Sequence, residues 1–296
     1  MEDKNIINKV RKIKIPHLNL ALLGATIGTT LIAGYMQSIP LTKIGVVKNP
    51  LLGAVAFSLG ILAILGCHEM GHKLAAIKCG VKASFPYFIP APTLIGTFGA
   101  IIKMETQPKD RNSLFDVGAA GPLGGILVAV PVTILGLLWS HTLPAGAVKG
   151  VSLPAPLLFQ LLSSFLINPP ENTEILLHPL AFAGWVGMLV TMLNLMPVGM
   201  LDGGHIVRAL VGNRKLGKSL FFEISLFRIV SLLGAVITGF LGYWLMALLM
   251  IFFVRLDHPG PIDDTIPLSL GRKILGVGLL FLLVLCITPL WINFPG

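Results

Sequence analysis

The sequence predicts an all-α polytopic membrane protein with about seven transmembrane helices, in the range six to eight, and a re-entrant loop or β-hairpin set among them. Three observations carry this. Of 296 residues, 54% are apolar and only 12% are charged, whereas a soluble domain carries about 25% charged residues. Apolar runs recur at the length needed to cross about 30 Å of hydrocarbon. The basic residues collect in alternate connecting segments, as they do on the inner side of membrane proteins. The net charge of +9 therefore reports orientation. It does not mark a nucleic-acid binder, because no basic run is interleaved with aromatics in a soluble stretch.

The elements follow in order. Residues 1–17 read as a basic cytoplasmic N-terminus, with Lys4, Lys9, Arg11, Lys12 and Lys14 and no obvious leader cleavage site. Spanning segments are expected at about Leu18–Met36, Leu51–Ile77, Leu114–Trp139 and Pro179–Met196. The run Leu220–Val254 is too long for one span and splits at Gly239 and Gly242. A last helix is expected from Leu270 to Pro289. With the N-terminus inside, eighteen basic residues fall in inner segments and three (Lys43, Lys48, Lys149) in outer ones. Arg228 is left over inside the fifth helix, near enough to its inner end to snorkel. Cys67, Cys79 and Cys286 form no CxxC pair and read as small apolar packers.

Residues 81–104, VKASFPYFIPAPTLIGTFGAIIKM, cannot be a spanning helix, because Pro86, Pro90 and Pro92 break it. The second half is compatible with extended backbone, so a re-entrant loop or β-hairpin is expected. Irregular backbone at membrane depth requires protein or a water-filled cavity to satisfy its polar groups. The outer segment from His141 to His178 is proline-rich and contains the apolar stretch Leu157–Ile167, which fits an interfacial helix.

The chemistry lies in LGCHEMGHKLAA, residues 65–76, which interrupts an uncharged run. His68 and His72 are four residues apart, which brings both imidazoles to one helix face. That suits two ligands of one tetrahedral zinc ion. Glu69 sits at the edge of that face, placed to act on a metal-bound water without being a ligand. Shuffling this composition yields HExxH roughly 0.003 times per chain. An ionisable group inside a span costs at least about 2.5–3.5 kcal/mol, so it persists where something pairs with it. A catalytic zinc needs a third protein ligand. The candidate stretch is NLMPVGMLDGGH, residues 194–205, where Asp202 lies in apolar surroundings before Gly203 and Gly204. Taken alone, Asp-Gly-Gly is equally a turn. His205 is a candidate neighbour of the site, and Asp116 reads as a helix-start residue.

His68-Glu69-Met70-Gly71-His72, followed by Asn194…Pro197…Leu201-Asp202-Gly203-Gly204, resembles the two motifs of the site-2 protease family of intramembrane zinc metalloproteases. The stretch FDVGAAGPLGG, residues 115–125, is similar to that family's Ala-Gly-Pro motif. The resemblance covers roughly residues 50–212. It implies one Zn²⁺ per chain held by His68, His72 and Asp202, with Glu69 as general base and then proton donor. It implies that Asn194 contacts the substrate backbone or helps stabilise the oxyanion. It further implies that segment 81–104 offers an edge to an unwound substrate by strand addition. The partners implied are the lipid bilayer and a transmembrane protein substrate, pre-cleaved by another protease; no nucleic acid is expected.

The expected division is a basic N-terminus (1–17), an accessory first helix with its outer loop (18–49), a catalytic membrane core (50–212) containing segment 81–104, and accessory C-terminal helices (213–296). No PDZ or nucleotide-sensing domain is visible. Two other readings stay open: a zinc transporter, which would need polar relays across the membrane, and an inactive homologue that binds membrane proteins. A prokaryotic plasma membrane is the expected location, with the N-terminus and the access to the site cytoplasmic.

Overall fold

Helix α1 (His17–Lys43) enters after Pro16 and leads through a short turn into α2 (Pro50–Lys78). The start of α2 is set locally: Asn49 Oδ1 accepts from the Leu51 amide at 2.8 Å, and Pro50 needs no partner for a missing N–H. In the computed structural model, residues 16–147, 153–212, 215–218, 223–240, 248, 251 and 258–288 are described. The expected basic N-terminus therefore lies almost wholly outside the described residues, as does much of the run up to Val254.

After α2 the chain forms the hairpin β1 (Tyr87–Pro90) and β2 (Thr97–Ile101), antiparallel, with Tyr87 opposite Ile101 and a register shift between Phe88 and Pro90. A further bridge joins Ala83 to Met104 at its base. Segment 81–104 is thus a β-hairpin and not an irregular loop. Helix α3 (Arg111–Leu138) follows, capped by Asp110 Oδ1, which accepts from Ser113 N at 2.7 Å. Next come β3 (His141–Pro144), α4 (Leu157–Leu166) and β4 (Thr173–Leu176); β3 and β4 pair antiparallel. Helix α5 (Pro179–Leu195) is followed by α6 (Asp202–Val211), the pair β5 (Lys215–Lys218) and β6 (Glu223–Ser225), then α7 (Leu226–Phe240) and α8 (Leu270–Cys286).

Helix α2 is central. It packs on α1, α3 and α5 and buries Phe57, Ile61 and Ile64. Helices in lipid associate through close packing and interhelical hydrogen bonds, since hydrocarbon is as apolar as leucine. Here Thr30 of α1 and Ser58 of α2 share a buried hydroxyl pair at 2.7 Å, and Phe57, Phe182 and Trp185 stack in series between α2 and α5.

The expectation of six to eight spans is corrected. Among the described residues, three helices are long and apolar enough to cross a membrane: α1, α2 and α3, of 27, 29 and 28 residues. Helices α5 and α8 have 17 residues each, about 26 Å of helix, short of a core of about 30 Å. The physical reason at α5 is Pro197, which biases the preceding residue to extended backbone. Met196 has φ −58° and ψ 133°, and the helix stops at Leu195. Within the run expected from Leu220, strand β6 (Glu223–Ser225) comes first among the described residues, and the helix starts only at Leu226. Three smaller expectations also shift. Arg228 is buried, not snorkelling. Cys67 is exposed and packs against no core. Asp110, not Asp116, starts α3; Asp116 holds Arg272 of α8 through two bonds of 2.6 and 2.7 Å.

Candidate metal centre

Four elements meet at one point. Helix α2 brings His68, Glu69 and His72 from its buried face. The last turn of α5 brings Asn194. Asp202 is the first residue of α6, reached by the sharp connection Met196–Leu201. Gly203 makes that connection possible: a Cβ there would overlap the carbonyl oxygen of Leu195. The fourth element is β2, whose end (Ala100 and Ile101) lines the same small cavity, about 200 Å³, together with Ile102 just beyond it, Met104, Met200, Leu201 and His205.

The donor atoms converge. His68 Nε2 lies 3.1 Å from one oxygen of Asp202, and His72 Nε2 lies 3.1 Å from the other. The two imidazole Nε2 atoms are 3.2 Å apart. Bonds of about 2.0–2.1 Å to a tetrahedral zinc require ligand separations of about 3.3 Å. Two neutral nitrogens and a carboxylate at these separations fit a single Zn²⁺. Among the described residues, these three form the one His/Cys/Asp/Glu group able to hold a metal ion, with all ligand atoms within 4.8 Å of one another.

The imidazole of His72 is set for this use. Its Nδ1 lies 2.7 Å from the carbonyl oxygen of Val117 in α3. A carbonyl only accepts, so Nδ1 carries the proton and Nε2 keeps its lone pair, as a metal-binding histidine requires. Helix α3 comes this close because position 121 is glycine: a Cβ there would overlap the His72 ring. That is the physical content of FDVGAAGPLGG in this chain.

Around the ligands, Asn194 places Nδ2 3.2 Å from His68 Nε2. The backbone N–H of Ile102 faces the Glu69 carboxylate. Glu69 is 7% exposed, yet it opens onto the cavity. His205 donates its Nδ1–H to Leu201 O at 2.9 Å and meets His258 edge to face, ring centroids 4.7 Å apart. His258 belongs to a strap under α6. Asp264 of that strap accepts two bonds from Arg208, at 2.9 and 3.2 Å. Burial, then His205 and Arg208 nearby, pushes the His258 imidazole down to about 3.

All five sequence-predicted residues (His68, Glu69, His72, Asn194, Asp202) line one cavity. Sequence reasoning missed Lys73. It reads there as one more inner basic residue, but it is buried, with Nζ on the carbonyls of Ala83 and Ser84 at 2.8 and 3.2 Å and over the Phe85 ring. It ties the base of the hairpin to the helix carrying Glu69. It also missed the strap, although a His-Pro-Gly-Pro run beside two aspartates was a signal for a structured turn. A larger cavity, about 800 Å³, lies among α4, the β3–β4 pair and the ends of α1 and α5. It holds none of the metal-site residues, so size does not locate the chemistry.

A membrane-type helical core that closes HExxH against a distant aspartate defines a metalloprotease-like zinc centre. Residues 56–237 match peptidase family M50, and the chain belongs to that family, the site-2-protease-like zinc metalloproteases. It is similar to probable zinc metalloprotease EGY1, chloroplastic, of Oryza sativa subsp. japonica, with 36% identity over 80% of this chain and 41% of the relative. It is also similar to the Arabidopsis thaliana proteins of the EGY1 and EGY2 names, both likewise called chloroplastic, with 35% and 31% identity over 80% and 84% of this chain and 43% of each relative. The chain thus spans about two fifths of the length of the curated relatives it matches. No solved structure matches it. These relatives overturn the expectation of a prokaryotic plasma membrane, because their names place them in the chloroplast.

Proposed function

We propose that this chain is a zinc-dependent intramembrane endopeptidase that hydrolyses peptide bonds within or near transmembrane segments. The observation that carries the reading is the convergence of His68, His72 and Asp202 with Glu69 in one cavity under β2. When bound there, zinc would supply an activated water and polarise the scissile carbonyl. Glu69 takes the proton from the attacking water and returns it to the departing amine. Val117 O holds the His72 tautomer through the reaction. Asn194 is offered as a donor to the substrate backbone or the developing oxyanion, from the position its amide occupies beside His68. A helical substrate shields its peptide bonds with its own hydrogen bonds. The substrate class is therefore a membrane protein whose spanning segment unwinds easily and lies along the β2 edge. Trimming of that substrate by another protease beforehand would shorten what the site must admit. The relatives support a chloroplast membrane as the compartment.

The test is cleavage of a reconstituted transmembrane peptide by wild type and by Glu69→Gln. Glu69→Gln is expected to keep one zinc per chain and to lose about 10²–10⁴ in kcat. Cutting at the wild-type rate by that variant would sink the mechanism.

A further inference from the structure

Helix α1 does more than cross the membrane. One face carries Thr26, Thr30, Gly34 and Ser38 against α2. Three other polar side chains reach out to backbone carbonyls of the β1–β2 hairpin. Asn19 Nδ2 donates to Phe85 O and Pro86 O at 3.0 and 2.9 Å. Thr29 Oγ1 donates to Gly96 O at 2.6 Å, and Gln37 Nε2 to Leu94 O at 2.6 Å. Asn19 and Gln37 are eighteen residues apart, five helical turns or about 27 Å, and so share one azimuth. The hairpin base is gripped at one end of this line and its tip at the other. Asn19 is buried, and among the described residues its Oδ1 has no hydrogen-bond partner. An orphaned acceptor is costly, so the side chain earns its place through its donor. At the tip, Gly96 has φ +77°, and a Cβ there would come within 2.6 Å of the α1 backbone at Thr30. The hairpin therefore rests on α1 mainly through β1 and its tip, and the end of β2 lies at the metal-site cavity, with the Ile102 amide on Glu69.

We propose that α1 is a positioning helix for the reaction, in which Asn19, Thr29 and Gln37 hold the depth and register of β2 relative to Glu69. This rests on the endopeptidase reading given above. A one-residue slip of a paired strand exchanges its two faces. The residues that fix the hairpin base and tip along α1 thereby select, through β2, which substrate peptide bond lies at Glu69. None of the three touches the reacting atoms; they act through the hairpin.

The experiment uses the full chain in phosphatidylcholine nanodiscs. It compares wild type with Thr29→Val, which is nearly isosteric, with Gln37→Leu, with the double variant, and with Thr29→Ser as the conservative rescue. Amide hydrogen exchange at residues 97–102 is expected to rise about tenfold in Thr29→Val and in Gln37→Leu. Zinc content should stay at one per chain, and Thr29→Ser should exchange as wild type does. On a reconstituted transmembrane peptide, the double variant is expected to cut at additional bonds, with kcat lowered about tenfold. Unchanged exchange at 97–102 in the double variant overturns the proposal, and so does a single wild-type cut site at wild-type kcat. A wild type that holds zinc and cuts no peptide defeats the endopeptidase reading instead, while the exchange measurement still decides the positioning role.

Discussion

The two walls of the metal-site cavity are built on different principles. The wall formed by α2 and α6, backed by α3, is made of atoms in direct contact. Gly121 seats the His72 ring, Val117 O holds its proton, and Gly203 lies against the Leu195 carbonyl. The opposite wall, β2, belongs to the two-stranded β1–β2 ribbon, which is held by polar side chains from other elements: Lys73 from α2 and Asn19, Thr29 and Gln37 from α1. Rigid packing suits ligands that must stay within a fraction of an ångström of one another. Side-chain tethers suit an edge that, in the proposed function, admits a substrate strand. The difference teaches that precision and access have been given to separate parts of one site.

The contrast can be broken first at Gly121. Gly121→Ala puts a methyl group into the His72 ring, so zinc affinity is expected to fall about a hundredfold, read by competition with a chromogenic chelator. A variant that keeps wild-type affinity would show that the rigid wall yields. Lys73→Met addresses the tethered wall. It leaves the Ala83 and Ser84 carbonyls without their ammonium, and kcat on a transmembrane peptide is expected to drop about tenfold with zinc retained. Loss of zinc together with activity would show that the two walls are not separable. The smallest effect concerns the strap beneath α6. His258 titrates near 3 when folded, against an ordinary value of 6.5, so below 6.5 the unfolded chain binds the extra proton. Stability is full above pH 6.5 and is lost as pH falls toward 3, by at most about 1.4 kcal/mol per unit. Melting of the full chain between pH 7.5 and 5 should show this slope, and His258→Gln should flatten it.

Legibility in the sequence followed the range of the physics. His68, Glu69 and His72 lie on one turn, and helix periodicity alone places them on one face. Asp202 needed its distant motif partner, and Gly121 needed a neighbour it meets only in space. At α5 span counting failed for a local reason: hydropathy sums over Pro179–Met196 without registering that Pro197 cuts the helix short. The roles of Lys73, Asp116 and Asn19 were invisible for the opposite reason. Each is defined by a partner in another element, such as the Phe85 carbonyl 66 positions from Asn19 or Arg272, 156 from Asp116. A hint was present, since an asparagine and a glutamine inside an apolar helix are expensive unless something receives them.

Asp202 stands 134 residues beyond His68 and opens a helix of its own. At a synthesis rate of roughly 5–20 residues per second, a growing chain carries the two histidines for many seconds before the carboxylate exists. Throughout that interval its ligand set is incomplete. The ligand set is complete only when the second half of the core has been made and docked. The order of the motifs along the chain thereby postpones the metal site until the helices around it exist.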